Sequence, residues 1–142
     1  MEMDFLKEFE KIMKSTATFA LATSVDNAPN VRIITFYHDA KRSGVVYFPT
    51  FKQSPKTVEI SENNKVAFTT IPDGTVGIVR VKNAIVQKST LTVYDIVDGI
   101  TKKYSGFAAT VANAGPMMEV YEIHFKEAEV TVSYGNVGKV NL

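Results

Sequence analysis

The chain has 142 residues, of which 45% are hydrophobic and 22% are charged, as in an ordinary globular domain. It contains no cysteine, which excludes disulfide frameworks, thiolate metal ligands and cysteine nucleophiles. The formal net charge is only +1, which argues against a broad nucleic-acid-binding face, and no apolar run approaches the roughly 20 residues that cross a bilayer. We therefore expect one soluble, cytoplasmic domain over residues 1–142, with no nucleic-acid or membrane partner.

The first predicted elements are a helix and a pair of strands. Apolar residues over Phe5–Met13 recur on one helical face, and Asp4 is placed to cap the first turn. Over Thr18–Val25 the apolar period changes to two, and Asp26–Pro29 has turn chemistry. This pattern predicts a hairpin whose second strand covers Val31–Tyr37.

The middle of the chain is predicted to place one helix among further strands. A polar turn over His38–Gly44 leads to a third strand over Val45–Phe48. Ser54 followed by a proline is typical of a helix start, and this helix is expected to run to about residue 63. Strands are then predicted over Lys65–Ile71 and Thr75–Lys88.

The last third is predicted to hold a helix and a closing hairpin. The helix covers Leu91–Tyr104, Val111–Met118 is expected to be a loop, and the hairpin strands are Val120–Phe125 and Val130–Tyr134. The tail, Gly135–Leu142, is expected to be mobile or to dock on a partner. Successive strands with short turns favour antiparallel pairing, so the predicted fold is mainly β with flanking helices, an antiparallel closed or split β-barrel.

Positive charge is concentrated in residues 28–58. This window has one acidic residue, Asp39, and five basic residues, namely Arg32, Lys41, Arg42, Lys52 and Lys56. A local positive window on a nearly neutral protein indicates a small anionic ligand. Basic side chains that simply face solvent explain the window equally well.

Arg32 is the first candidate for binding such an anion. Its neighbours Val31, Ile33 and Ile34 are apolar on both faces of the predicted strand, which favours a strand covered on both sides. A partly buried arginine needs an anionic partner, and its planar guanidinium fits phosphate or carboxylate. The alternative is an ordinary strand arginine that points into solvent.

The segment from Phe48 to Lys56 supplies the second half of the candidate site. A strand end leads here into a helix N-terminus, whose free N–H groups and partial positive charge attract anions. Thr50 and Ser54 add hydroxyl groups, and Lys52 and Lys56 add ammonium groups. Ser54 could instead only cap the helix, and the lysines could be solvated, although a capping serine can also contact a phosphate.

The order of these residues resembles a known family. The pattern is Arg32-Ile33-Ile34-Thr35-Phe36, a turn, and then Tyr47-Phe48-Pro49-Thr50-x-x-x-Ser54-x-Lys56. It is similar to the pyridoxamine 5′-phosphate oxidase-like FMN-binding split barrels, and the resemblance extends from about Phe5 to Tyr134.

The resemblance implies a cofactor site and an assembly. Arg32 and Lys56 would hold the FMN phosphate, with Ser54 or Thr50 assisting. The backbone of Ile33, Ile34 and Thr35 would run along the isoalloxazine ring, and Pro49 and Thr50 would border it. Arg80 would approach the polar edge of the ring. The family also implies a homodimer with FMN at the subunit interface.

Departures from the true oxidase argue against pyridoxamine phosphate as the substrate. Pro55 stands where the oxidase has a second basic residue, Tyr37 stands where it has a substrate-binding lysine, and its C-terminal Arg-x-His segment is missing. The chain is more similar to the short general-stress and flavin-reductase-like members. We therefore expect an FMN-dependent oxidoreductase acting on an unknown small molecule. A non-catalytic flavin or haem carrier is the alternative, and a cofactor-free dimeric domain is a third.

The remaining titratable residues give weaker indications of a functional site. His38 and His124 are the only histidines, and neither has a second ligand at metal-binding spacing, so no metal site is expected. A single histidine can still ligate haem, which keeps haem among the alternatives. Asp95 and Asp98 are interpreted as a solvated helix face.

Overall fold

The computed structural model describes residues 3–74 and 77–142. In these residues the chain forms four α-helices, nine strands and a short 3-10 turn. The helices are α1 (Phe5–Ser15), α2 (Pro55–Glu62), α3 (Val93–Thr101) and α4 (Phe107–Ala114). The strands are β1 (Thr18–Val25), β2 (Ala28–Thr35), β3 (Tyr37–His38), β4 (Val45–Phe51), β5 (Lys65–Thr70), β6 (Ile78–Lys88), β7 (Met118–His124), β8 (Glu127–Ser133) and β9 (Asn136–Asn141). None of the described helices is long and apolar enough to cross a membrane.

The strands pair antiparallel in the order β2-β1-β5-β6-β7-β4-β3. The long strand β6 uses one edge for two partners, pairing with β7 through Ile85–Lys88 and with β8 through Ile78–Arg80. Its register against β5 shifts near Asn83, which has a φ of 61°, and such a bulge bends a strand. The sheet therefore splits along β6, and the predicted antiparallel split barrel is confirmed.

Two apolar clusters hold the fold together. The first fills the barrel and is closed by the apolar face of α1; its largest members include Phe9, Met13, Phe19, Phe36, Phe48 and Phe68. The second lies between the other face of β4 and β7 and the helices α3 and α4, and includes Tyr47, Ile96, Ile100, Phe107 and Val120. One layer of strands thus separates the barrel interior from a helical layer.

The first hairpin agrees with the sequence prediction except that its second strand begins earlier and also ends earlier, at Thr35, because Tyr37 belongs to β3. Asp4 caps α1 by accepting a hydrogen bond from the Lys7 N–H, and β1 has the predicted bounds. The second strand begins at Ala28, earlier than predicted, because Asp26 and Asn27 alone make the turn with φ values of 51° and 63°. Pro29 is tolerated in this strand because β2 lies at the edge of the sheet.

The last third of the chain differs from the prediction. The loop predicted over Val111–Met118 is wrong, since α4 forms from an alanine-rich segment that buries Phe107 and Val111 one turn apart. The closing hairpin is also wrong, because β7 and β8 follow each other along β6 rather than pairing together. The true hairpin is β8–β9, which reverses at Gly135 with a φ of 82°, so the tail is a paired strand. Thr75 and Val76, the predicted start of β6, lie outside the described residues.

Candidate anion-binding site

The candidate site lies where β1, β2, the end of β4 and the first turn of α2 meet. Gln53, with a φ of 62°, turns the chain from β4 into α2, and Ser54 occupies the N-cap position before Pro55. The Ser54 side chain makes no capping hydrogen bond. Its hydroxyl lies instead 3.1 Å from Thr50 Oγ1, so it is directed into the site.

Lys56 forms the first cationic part of the site. Its Nζ donates to Thr50 Oγ1 at 2.7 Å and lies 3.5 Å from Ser54 Oγ. Thr50 itself is only 4% exposed. Burial, and after it the positive charge of Arg32, lower the pKa of Lys56. Two cations therefore lie close enough to disfavour each other, and an anion bound between them would relieve that repulsion.

Arg32 forms the second part, and it already has an anionic partner in the chain. Its side chain extends from β2 on the barrel side, where Arg32 is paired with the fully buried Leu21. Arg32 Nη1 donates to Thr23 Oγ1 at 2.9 Å, and Nη2 donates to Glu59 Oε2 at 2.8 Å and Oε1 at 3.2 Å. The predicted need for an anionic partner is thus met by a carboxylate of α2.

Glu59 is the site residue that the sequence analysis missed. Its carboxylate also accepts hydrogen bonds from Asn30 Nδ2 and Thr23 Oγ1, each at 2.9 Å. These bonds, together with Arg32, lower the pKa of Glu59. Glu59 lies one residue beyond the positive window, three residues after Lys56 on the predicted helix. Residues three apart on a helix lie on one face, so this spacing could have indicated that Glu59 lies beside Lys56 at the site.

The backbone of β2 offers a second feature beside this cluster. Phe36 N–H donates to the Ala17 carbonyl at 3.2 Å. In an antiparallel ladder, alternate residues direct their peptide groups to opposite sides, so those of Ile34 and Arg32 also point to β1. The N–H and C=O groups of Ile33 and Thr35 therefore point to the open edge of the sheet. Pro49 of β4, which was also predicted to lie near the ring, is buried and is paired with Val120 of β7.

Two other basic residues lie away from the cluster. Arg80 is three strands across the sheet from Ile33, a distance of about 14 Å at ordinary strand spacing. It faces the outer side, where it pairs with Glu129 at 3.7 Å. Lys52 Nζ donates to the Pro116 carbonyl at 3.1 Å. One chain therefore brings together Arg32, Thr50, Ser54 and Lys56, but not Arg80 or Lys52.

A groove of about 410 Å³ lies on the outer face of the same sheet. Its lining includes small residues, Ala20, Ala22 and Ala67, and charged residues of both signs, namely Arg80, Lys82, Glu127, Glu129 and Lys139. Val31 of β2 also lines this groove, and Ile33 lies beside it on the same face; their side chains are 62% and 68% exposed. The prediction that β2 is covered on both faces is therefore wrong for the single chain, because its outer apolar face is open.

Both histidines are already engaged. His38 Nε2 lies 3.0 Å from the Ser43 carbonyl oxygen, and its ring packs edge-on against Phe9. His124 Nε2 lies 2.8 Å from Glu122 Oε1. Within residues 3–74 and 77–142 no group of three or more His, Cys, Asp and Glu side chains is arranged to hold a metal ion.

The fold and the polar cluster define a split-barrel domain with two cations beside the first turn of a helix. A family model described as pyridoxamine 5′-phosphate oxidase-like matches residues 12–137, which is most of the chain. The chain belongs to this pyridoxamine 5′-phosphate oxidase-like family, as its sequence resemblance implied. Comparison with curated proteins gives no match.

Solved structures share the fold at low sequence identity. General Stress Protein 26 of Bacillus anthracis has a TM-score of 0.69 and 16% identity, covering 99% of this chain and 100% of its own. A FAD-binding protein from Mesorhizobium loti has a TM-score of 0.60 and 14% identity, covering 96% and 92%. A heme binding protein from Mycobacterium smegmatis has a TM-score of 0.70 and 12% identity, covering 99% and 59%. One protein named for FAD binding and one named for heme binding thus share this fold, so the choice between flavin and haem rests on the residues of this chain.

Proposed function

We propose that this protein binds FMN and holds its phosphate with Lys56, Thr50, Ser54 and Arg32. The observation that carries the proposal is the convergence of two cations and two hydroxyls beside the first turn of α2. A phosphate monoester carries a charge between −1.5 and −2 at neutral pH, in round numbers, and accepts hydrogen bonds through three oxygens. It would satisfy Lys56 and the hydroxyls and lower the repulsion between Lys56 and Arg32.

The ring of the flavin has a matching surface next to this phosphate position. The open edge of β2 presents the peptide N–H and C=O groups of Ile33 and Thr35. The pyrimidine side of an isoalloxazine ring has a donor between two acceptors, so it can pair with such an edge as a short strand would. In this arrangement Thr50 would lie at the phosphate end of the bound flavin, and Arg32 would extend from β2 between the phosphate and the ring.

A second copy of the chain is the partner that we propose for the open face. Val31 and Ile33 form an exposed apolar ridge beside a groove whose lining contains small residues. The groove also carries charges of both signs, which a two-fold symmetric interface can pair between subunits. In such a homodimer Arg80 would reach a flavin only across the interface, since it lies far from the cluster of its own chain.

A bound flavin would supply hydride and electron transfer, and we propose that the protein is an oxidoreductase for an unknown small molecule. The chain's own residues then bind and orient the cofactor and limit the access of water. Haem is a weaker candidate, because both histidines already have hydrogen-bond partners, His38 in the Ser43 carbonyl and His124 in the Glu122 carboxylate.

The first test is the visible absorption spectrum of the protein after FMN is added and free ligand is removed by desalting. Flavin bands that remain after desalting would support the site, whereas loss of all FMN would reject it. Hemin treated in the same way provides the comparison with haem. For a protein that retains FMN, NAD(P)H oxidation faster than with free FMN would distinguish an oxidoreductase from a flavin carrier.

A further inference from the structure

Arg32 has few hydrogen-bond donors left for a ligand. A guanidinium has five N–H groups, four of them on the two terminal nitrogens. Arg32 Nη1 donates to Thr23 Oγ1 and the Leu21 carbonyl, and Nη2 donates to both oxygens of Glu59. Both terminal nitrogens therefore already face acceptors of the chain, and the Glu59 carboxylate occupies the Nη2 side. A phosphate that takes both terminal nitrogens of Arg32 would have to replace one of these acceptors.

Glu59 is the acceptor that is able to leave. The Leu21 carbonyl is fixed in the ladder between β1 and β2, and Thr23 is buried on β1. Glu59 instead has a flexible side chain on α2 that is 22% exposed, so its carboxylate can rotate into water without a change in the backbone. Like a ligand phosphate, it is an anionic oxygen acceptor for the Arg32 guanidinium.

We propose that Glu59 is an internal competitor for the ligand's phosphate. Its carboxylate occupies Arg32 in the ligand-free protein and must be displaced before Arg32 can bind a phosphate monoester. This inference rests on the proposed flavin site, and it adds a residue that sets the affinity and the phosphate dependence of that site. A ligand without a phosphate, such as riboflavin, has nothing to exchange for Glu59.

The competition has a definite sign. With Glu59 in place, the ligand meets two cations and one anion, and without the anion it meets two cations. Removing the charge of Glu59 should therefore strengthen the binding of a phosphate ligand. If Glu59 only oriented Arg32 for the ligand, the same change would weaken binding, so the two roles predict opposite results.

The experiment compares Glu59→Gln with Glu62→Gln, which removes the same charge from an exposed position in the last turn of the same helix. Binding of FMN and of riboflavin is followed by flavin fluorescence at fixed ionic strength. We expect Glu59→Gln to bind FMN about tenfold more tightly than the parent, because one charge-assisted contact no longer has to be broken. Glu62→Gln should stay within about twofold of the parent, and neither variant should change riboflavin binding.

The outcomes separate this proposal from the flavin site itself. FMN binding that Lys56→Ala weakens but Glu59→Gln does not strengthen would reject the competitor and keep the site. Absence of FMN binding by both the parent and Glu59→Gln would reject the site and the competitor together. If Glu59→Gln does not fold, a crystal structure of the parent with FMN decides. Glu59 turned away from Arg32 would support the proposal, and an intact pair would overturn it.

Discussion

Lys56 Nζ and Thr50 Oγ1 lie 2.7 Å apart, and this contact joins the first turn of α2 to the end of β4. Lys52 belongs to the same segment but points elsewhere, since its Nζ donates to the Pro116 carbonyl at 3.1 Å. The sequence places both lysines in one positive stretch, whereas the structure brings only Lys56 to the hydroxyl cluster. The pair therefore forms a matched test of the phosphate position.

Lys56→Ala is expected to weaken FMN binding by about tenfold or more, the cost of losing one charge-assisted contact of about 1.5–3 kcal/mol. Lys52→Ala removes the same charge nearby and should leave the affinity within about twofold of the parent. Isothermal titration with FMN at constant salt measures both. An equal loss in the two variants would show that only the overall charge matters, and would contradict a specific phosphate contact at Lys56.

Ile33→Asp tests the proposed homodimer. The Ile33 side chain is 68% exposed in the single chain, so the substitution should leave the fold intact. In a dimer that covers β2, the new carboxylate would be buried without a partner, and we expect a shift from dimer to monomer together with loss of retained FMN. Light scattering after size exclusion measures the mass. Tyr134→Asp, at the fully exposed end of the β8–β9 hairpin, is the control and should not change it.

A mass for Ile33→Asp equal to that of a dimeric parent would place the interface elsewhere. A monomeric parent that still retains FMN would contradict the proposal more directly, because the flavin site would then be complete in one chain.

Local signals explain what the sequence predicted well. The helical face of α1, the alternation of β1 and the serine–proline start of α2 depend on neighbouring residues, so they could be read directly. Arg32 and Lys56 could likewise be singled out as candidates from their residue types and their place in the positive window, and their role in binding an anion stays a prediction. Assembly of Arg32 with Glu59 is different, because it depends on how α2 packs against β1 and β2.

The errors have the same origin. The succession of β7 and β8 in the chain favours pairing between them, but β6 is long enough to pair with both along one edge. The segment that forms α4 has a weak apolar pattern, and its helix is supported by packing of Phe107 and Val111 in the second cluster. Exposure of Val31 and Ile33 could not be read from the sequence either, because an apolar strand looks the same whether its own chain or a partner covers it.

Lys103 connects the helical layer to the first helix. Its Nζ donates to the carbonyls of Met13 and Thr16, each at 2.9 Å, at the C-terminal end of α1. It also lies 4.7 Å from the centre of the Phe36 ring. Burial lowers the pKa of Lys103 to about 8. An unfolded lysine keeps its ordinary pKa of 10.5, so the folded and unfolded states bind different numbers of protons between these two values.

The sign of the resulting pH dependence follows from that difference. Between pH 8 and pH 10.5 the unfolded state holds the Lys103 proton more strongly, so this group's contribution to the free energy of unfolding rises with pH across the window and is lost as pH falls through 8. Lys103→Met has no such proton. We therefore expect the parent to gain stability relative to Lys103→Met as pH increases over this range, as measured by urea unfolding of both proteins. Lys102→Met, one residue earlier and exposed, is the control and should follow the parent. A parent that instead loses stability relative to Lys103→Met would show that the two carbonyls stabilise the ammonium more than burial opposes it.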